Sequence, residues 1–159
     1  MKTEKAIAQD IPELLDFVCN TFRADNPGHP RFEALYPDLF LPTDEKAGRH
    51  LILRQNGKII SCIGSYPMTL NIAGCKILSA GIGQVSTAAE MKGRGCMSQL
   101  LVDSILRMEQ EGVALSWLGG RHDRYARYGW ETVGTDFNYQ YQGTAVRQVN
   151  ETFLVSQSA

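Results

Sequence analysis

Gln84-Val85-Ser86-Thr87-Ala88-Ala89-Glu90-Met91-Lys92-Gly93-Arg94-Gly95-Cys96-Met97-Ser98 runs into an apolar-periodic segment that stops at Gly112. Ile82, Gln84, Val85, Ser86 and Thr87 belong to a β-type stretch. Met97, Leu100, Leu101, Ile105 and Met108 recur at helical spacing, and Gly112 is a natural C-terminal stop. The segment therefore reads as strand, basic glycine turn, helix. The first turn of a helix leaves backbone N–H groups without intrahelical acceptors, and the helix dipole adds positive character there. Gly93 and Gly95 allow close approach to the backbone, while Lys92 and Arg94 add charge. Such a turn suits a phosphate or pyrophosphate. Taken alone, it is equally compatible with a solvated basic turn. It is not a Walker loop, because Cys96 follows Gly95 where Lys-Ser/Thr would be needed, and its glycine spacing is not that of a dinucleotide fingerprint.

Outward from this segment the pattern is mixed. Towards the N-terminus, Ala6 and Ile7 read as a short first strand. Asp10 reads as a helix N-cap, with Pro12 in the first turn and Glu13 at the capping-box position. Ile11, Leu14, Leu15, Val18 and Phe22 then form one helical stripe. From Arg23 to Arg49, Pro27, Pro30, Pro37 and Pro42 prevent any long element, and a short helix is expected over Arg31–Tyr36. His50–Arg54 and Lys58–Tyr66 flank Asn56-Gly57, a strong hairpin signal. Pro67 reads as an interruption before a further strand over Met68–Ile72. Ala73-Gly74 makes a second turn, and Cys75–Ile82 leads into the central strand. Beyond the helix, Val113–Leu118 reads as a buried strand parallel to the central one, ended by Gly119-Gly120. Val133–Gln142 is expected to supply a closing strand pair.

Composition narrows the function classes. A chain of 159 residues with 43% apolar and 21% charged residues is expected to be a single domain over residues 1–159. The net charge of −1 supports neither a nucleic-acid partner nor a membrane surface. No apolar run reaches the roughly 18 to 20 residues that span a bilayer, and the N-terminus lacks signal-peptide character. Cys19, Cys62, Cys75 and Cys96 form no Cys-x-x-Cys pair, and His29, His50 and His122 lie at no ligand spacing from them. No metal site is expected, and free thiols point to a reducing cytoplasm.

With the glycine loop goes a second motif, Tyr125-Ala126-Arg127-Tyr128-Gly129-Trp130. Together, in this order, they resemble the GNAT N-acetyltransferase superfamily. Its acetyl-CoA loop reads Arg/Gln-x-x-Gly-x-Gly/Ala, and its Tyr-x-x-x-Gly-Phe element comes after the fifth strand. Lys92 stands where the family has Arg or Gln, Met97 where it has a small residue, and Trp130 where it has Phe. The wording of Gly119–Glu131 is most similar to the N-terminal domain of the multi-domain branch related to the enhanced intracellular survival acetyltransferases. On that likeness the chain is either a stand-alone relative or the N-terminal part of a longer protein.

The resemblance covers roughly Ala6–Gln142 and implies an α/β (α+β) fold. Its central sheet would be mixed, mostly antiparallel, with about six to seven strands flanked by helices and a parallel strand pair at the cofactor site. It implies an N-acetyltransferase that moves acetyl from acetyl-CoA, as cosubstrate, to a primary amine by direct attack. Val85, Ser86 and Thr87 would hold the pantetheine arm. Lys92, Gly93, Arg94, Gly95, Cys96, Met97 and Ser98 would hold the pyrophosphate. Tyr125 would protonate the departing thiolate, although a tyrosine here also reads as a buried aromatic with a satisfied hydroxyl. Glu33, Asp38, Glu90, Asp123 or a water chain would take the amine proton. Acids in the Pro-rich segment suit a cationic acceptor such as an aminoglycoside, polyamine or lysine side chain, small-molecule or peptide. The rival class is a non-catalytic acyl-CoA-binding domain, regulatory or structural, within a larger protein. A homo-oligomer is compatible with either.

Overall fold

The computed structural model describes residues 1–133. Strand β1 (Thr3–Lys5) is followed by a 3₁₀ turn at Ala8–Asp10 and helix α1 (Ile11–Asp25). Two short helices, α2 (Phe32–Leu35) and α3 (Asp44–Ala47), punctuate the Pro-rich segment. Then come β2 (His50–Gln55), β3 (Lys58–Ile72), β4 (Cys75–Thr87), helix α4 (Cys96–Gln110), β5 (Leu115–Leu118) and α5 (His122–Tyr125). The sheet order is β1-β2-β3-β4-β5. All neighbours are antiparallel except β4 and β5, which run parallel with α4 as the crossover.

Both hairpin turns place glycine second, and both residues of each turn have positive φ. Asn56 and Gly57 have φ of 52° and 78°, and Ala73 and Gly74 have 50° and 83°. Two successive positive φ values match the right-handed strand twist of a two-residue hairpin.

The described residues hold five strands, fewer than the six to seven expected. One cause is Pro67, which does not interrupt β3. The Ser65 N–H donates to the Arg49 carbonyl at 2.9 Å, on the side of β2. Residue 67 faces the same side two positions on, where β2 has already ended, so a missing N–H costs nothing. The closing pair expected over Val133–Gln142 lies, after Val133, outside the described residues. Strand β1 lies earlier than Ala6-Ile7, over Thr3–Lys5, and pairs with Leu51–Leu53. Asp10 is not a side-chain cap for α1. Its carboxylate instead accepts the Ile7 N–H at 2.9 Å and an Arg54 N–H at 2.6 Å. Glu13 likewise accepts from Ile59 N–H and Arg54, each at 2.7 Å, so the pair of acids ties α1 to the β2–β3 hairpin.

Strand alternation, shifted by one at Ile60 where the β2–β3 register slips, divides the core between the two faces of the sheet. Leu51, Leu53, Ile60, Ile63, Ala80 and Ile82 pack with Leu100, Leu101 and Met108 of α4. Ile52, Ile59 and Cys62 pack with Ile11, Leu14 and Val18 of α1, and with Phe32 and Phe40. The two-residue strand period sorts neighbours onto opposite faces. The Val113–Leu118 run departs from expectation. Only Leu115–Leu118 is strand, and Leu115 and Trp117 are exposed, because β5 is the edge strand among the described residues. Among those residues, no helix is long and apolar enough to cross a membrane, and no cluster of His, Cys, Asp or Glu could hold a metal ion. Cys19, Cys62 and Cys96 are buried free thiols, and Cys75 is exposed.

Candidate active site

The glycine turn forms a cradle open to solvent. Gly93 and Gly95 have φ of 77° and 80°, and a Cβ at either would meet no atom within 4 Å. Both positions therefore need glycine for conformation, and the space beside them is left free for a ligand. Gly95 is the N-cap of α4, and the first helical bond runs from the Gln99 N–H to the Gly95 carbonyl at 2.9 Å. The N–H groups of Cys96, Met97 and Ser98 precede it and so have no helical acceptor. No acidic side chain lies in this first turn to neutralise them.

The second feature is an unpaired strand edge. Parallel pairing of β4 with β5 runs from Ser79↔Leu115 to Ile82↔Leu118 and stops, as Gly119 and Gly120 lead the chain away. On its other side β4 remains bound to β3 through Cys62↔Ser86 and Ser61↔Thr87. Val85–Thr87 thus present a free edge, among the described residues, that runs directly into the glycine cradle. A cavity of about 640 Å³ joins the two features.

Most of the expected cofactor residues meet there. Val85, Ser86, Thr87, Lys92, Gly93, Gly95, Cys96, Met97 and Ser98 all line the cavity. Arg94 does not, and is exposed. Met97 lines the cavity and also packs against the apolar cluster beneath α4. Tyr125 is buried in that cluster and does not line the cavity. Its ring meets Trp130 edge-on at 6.3 Å, and a Cβ at Gly120 would stand 2.9 Å from Tyr125 Cε2. Burial raises its phenol above the ordinary value, against the opposing charge of Arg124.

Of the four carboxylates expected as candidate bases, only Asp123 lines the cavity. It accepts two hydrogen bonds from Arg121, at 3.0 and 2.6 Å, and these hold it below its usual range. Glu33 is held down in the same way by Arg31. Asp38 and Glu90 are exposed, away from the cavity lining.

Five lining residues lie outside the set expected from sequence: Thr21 and Asp25 of α1, Met91 just before the glycine loop, and Arg124 and Arg127. A signal for Arg124 and Arg127 exists, since both fall in or beside the tyrosine motif. Their distance from the loop in sequence conceals it. Arg127 donates to Ser98 Oγ at 3.0 Å and to the Tyr128 hydroxyl at 2.8 Å, and its guanidinium lies 4.8 Å from the Tyr128 ring centre. The side chain therefore bridges the α4 N-terminus and the motif. With Lys92 and Arg124 it places three cations on the cavity wall. The cradle, the free N–H groups and these cations together fit a polyphosphate ligand.

Comparison with known proteins agrees with this architecture. The model of the Acetyltransferase (GNAT) domain matches residues 3–133. Among curated proteins none matches the sequence. Solved structures share the fold at low identity. A GCN5-related N-acetyltransferase from Ralstonia eutropha JMP134 superposes with a TM-score of 0.68 at 17% identity, over 89% of this chain and 99% of its own. A GNAT family acetyltransferase from Brucella melitensis, solved in complex with acetyl-CoA, gives 0.65 at 22% identity, over 86% of this chain and 90% of its own. A conserved protein from Enterococcus faecalis V583 gives 0.66 at 21% identity over 80% of this chain, which spans 31% of that longer one. The chain belongs to the GNAT acetyltransferase domain family.

Proposed function

We propose that the domain transfers an acetyl group from acetyl-CoA to a primary amine, by direct attack of the amine on the thioester. The observation that carries this reading is the β4 edge at Val85–Thr87, unpaired among the described residues, leading into the glycine cradle. An extended, amide-bearing pantetheine can add to such an edge as a further strand. Acetyl-CoA, when bound, supplies the activated acyl group. The N–H groups of Cys96–Ser98, with Lys92, Arg124 and Arg127, receive its phosphates. The backbone N–H near Val85 stabilises the developing oxyanion. Tyr125, kept protonated by its raised pKa, gives its proton to the sulfur once its hydroxyl reaches the cavity. Asp123 and Glu33 are weak bases in their ion pairs, which favours removal of the ammonium proton through water. Asp25, on the cavity wall, and the acids of the Pro-rich segment suit a cationic acceptor, small-molecule or peptide.

The buried position of Tyr125 favours a second reading, an acyl-CoA-binding domain without turnover. The wording of Gly119–Glu131 supports placing the chain with the enhanced-intracellular-survival-like branch, and the four free thiols support a cytoplasmic setting.

A thermal-shift titration with acetyl-CoA, with ATP as phosphate control, tests binding. At about 100-fold excess over the dissociation constant a specific site adds roughly 2.7 kcal/mol. CoA-thiol release over an amine panel then tests turnover. Transfer that drops in Tyr125→Phe, with binding kept, supports the enzyme. Binding without thiol release for any amine supports the second reading, and absence of an acetyl-CoA shift sinks both.

A further inference from the structure

Among the described residues with positive φ other than glycine, Asn56 and Ala73 sit in turns, and Gln84 alone lies inside a strand, at φ 48°. It marks an irregularity between β3 and β4. The register passes from Gly64↔Gly83 to Cys62↔Ser86, so Ile63 alone faces both Gln84 and Val85. An extra residue of this kind bends a strand and re-aims the residues beyond it. In β4 those residues are Val85–Thr87, the free edge.

The left-handed conformation of a bulky residue costs about 1–2 kcal/mol, so surrounding structure must hold it. The side chains of Tyr66 and His50 do so, through the Gln84 amide. The Tyr66 hydroxyl donates to Gln84 Oε1, and lies 2.9 Å from His50 Nε2. His50 is fully buried, and its Nδ1 lies 3.3 Å from the Ala47 carbonyl. One hydroxyl proton serves one partner. Given to Gln84, it leaves the Nε2–H of His50 to donate to the tyrosine oxygen. The reverse order, with Nδ1–H on Ala47 and the Gln84 amide turned to present its NH₂, links the same side chains.

Glycines on both strands clear the space for this chain of contacts. A Cβ at Gly64 would fall on the Tyr66 hydroxyl and lie 2.9 Å from Gln84 Oε1, and one at Gly83 would lie 3.3 Å from Tyr66 Cε2. The Cys62 thiol adds a hydrogen bond to the Gln84 carbonyl at 3.3 Å. Phe40 packs on the far side of His50, with ring centres 5.5 Å apart. None of His50, Tyr66 and Gln84 lines the cavity.

We propose that His50, Tyr66 and Gln84 are positioning residues, which lock the β4 bulge and so aim the Val85 backbone N–H at the acyl carbonyl of the bound thioester. The inference rests on the acetyl-transfer reading of the site. A relay serving only the core would affect stability and leave the carbonyl alone.

The test uses acetyl-CoA labelled with ¹³C at the carbonyl, bound to the full chain without acceptor. In the wild type a hydrogen bond to the carbonyl moves its resonance downfield of the free cosubstrate. Tyr66→Phe should return it towards the free position, with CoA affinity kept within about twofold. Gln84→Gly, whose backbone accepts positive φ without strain, should stay folded and also lose the displacement. With a reactive amine, kcat should fall about tenfold or more in both variants at little-changed KM, as for a misplaced oxyanion donor. A displaced resonance in the wild type that both variants retain overturns the inference, whatever they lose in stability. Wild-type binding with no displacement overturns it too, and leaves the binding-site reading standing. Absence of acetyl-CoA binding in the wild type removes the reading and the inference together.

Discussion

At the scale of single residues, the cavity gains its charge from side chains far from the glycine loop in sequence. Arg127 touches Ser98 of α4 and is braced by Tyr128, so its guanidinium is held near the helix N-terminus. Arg121, six positions earlier, is spent on Asp123 and does not line the cavity. Arg127→Ala should therefore weaken acetyl-CoA binding about three- to tenfold, the lower part of the range for a charge-assisted contact because the site is open to water. Arg121→Ala should change it less than twofold. Calorimetric titration of the two variants checks this, and equal losses would count against Arg127 as a phosphate ligand. The same comparison accounts for Arg94. Its place in the loop points to the phosphate site, yet with Gly93 and Gly95 on either side in left-handed conformations it stands away from the cavity lining.

At the scale of elements, local chemistry is legible in the sequence wherever it is self-sufficient. Asn56-Gly57 and Ala73-Gly74 make hairpins with positive φ at both positions. The stripe Ile11, Leu14, Val18 is buried on α1, and Leu100, Leu101 and Met108 are buried on α4. Local patterns mislead where a distant partner intervenes. Arg54 draws Asp10 and Glu13 away from helix capping, and the end of β2 permits Pro67 within β3. The α4 N-terminus combines both kinds of information. Gly95→Ala forces a Cβ into a left-handed N-cap at φ 80°. We expect a loss of about 1–2 kcal/mol of stability, although nothing lies within 4 Å of the new methyl group. Urea denaturation gives the first quantity. Acetyl-CoA affinity should fall as well, and a variant that kept both would show that the cradle tolerates another backbone.

For the whole molecule, the sheet separates two apolar clusters, and His50 is buried on the α1 face between Phe40 and Tyr66. Burial pushes its pKa down to about 4 from an ordinary 6.5, with the Ala47 and Lys46 carbonyls opposing. The unfolded chain takes up this proton near pH 6.5, the folded chain only near pH 4. Stability is thus fully present above pH 6.5 and is lost progressively as pH falls towards 4. Urea midpoints at pH 7 and about 5.5, above most carboxylate titration, should fall for the wild type. In His50→Gln the difference should shrink, and an unchanged slope would mean that other groups carry it.

The sequence by itself determined both hairpin turns, the glycine loop at the head of α4 and the parallel pair around it. Each of these depends on neighbours a few positions apart: turn residues that accept positive φ, a helical apolar period, a missing side chain. Only the tertiary structure decided the extent of β3, the exposure of β5, the entry of Asp25, Arg124 and Arg127 into the cavity, and the burial of Tyr125. It alone joined His50, Tyr66 and Gln84 across three strands. The reason is physical. Register and bulges set which distant side chains share a face, and the polar groups brought together there must satisfy one another away from water.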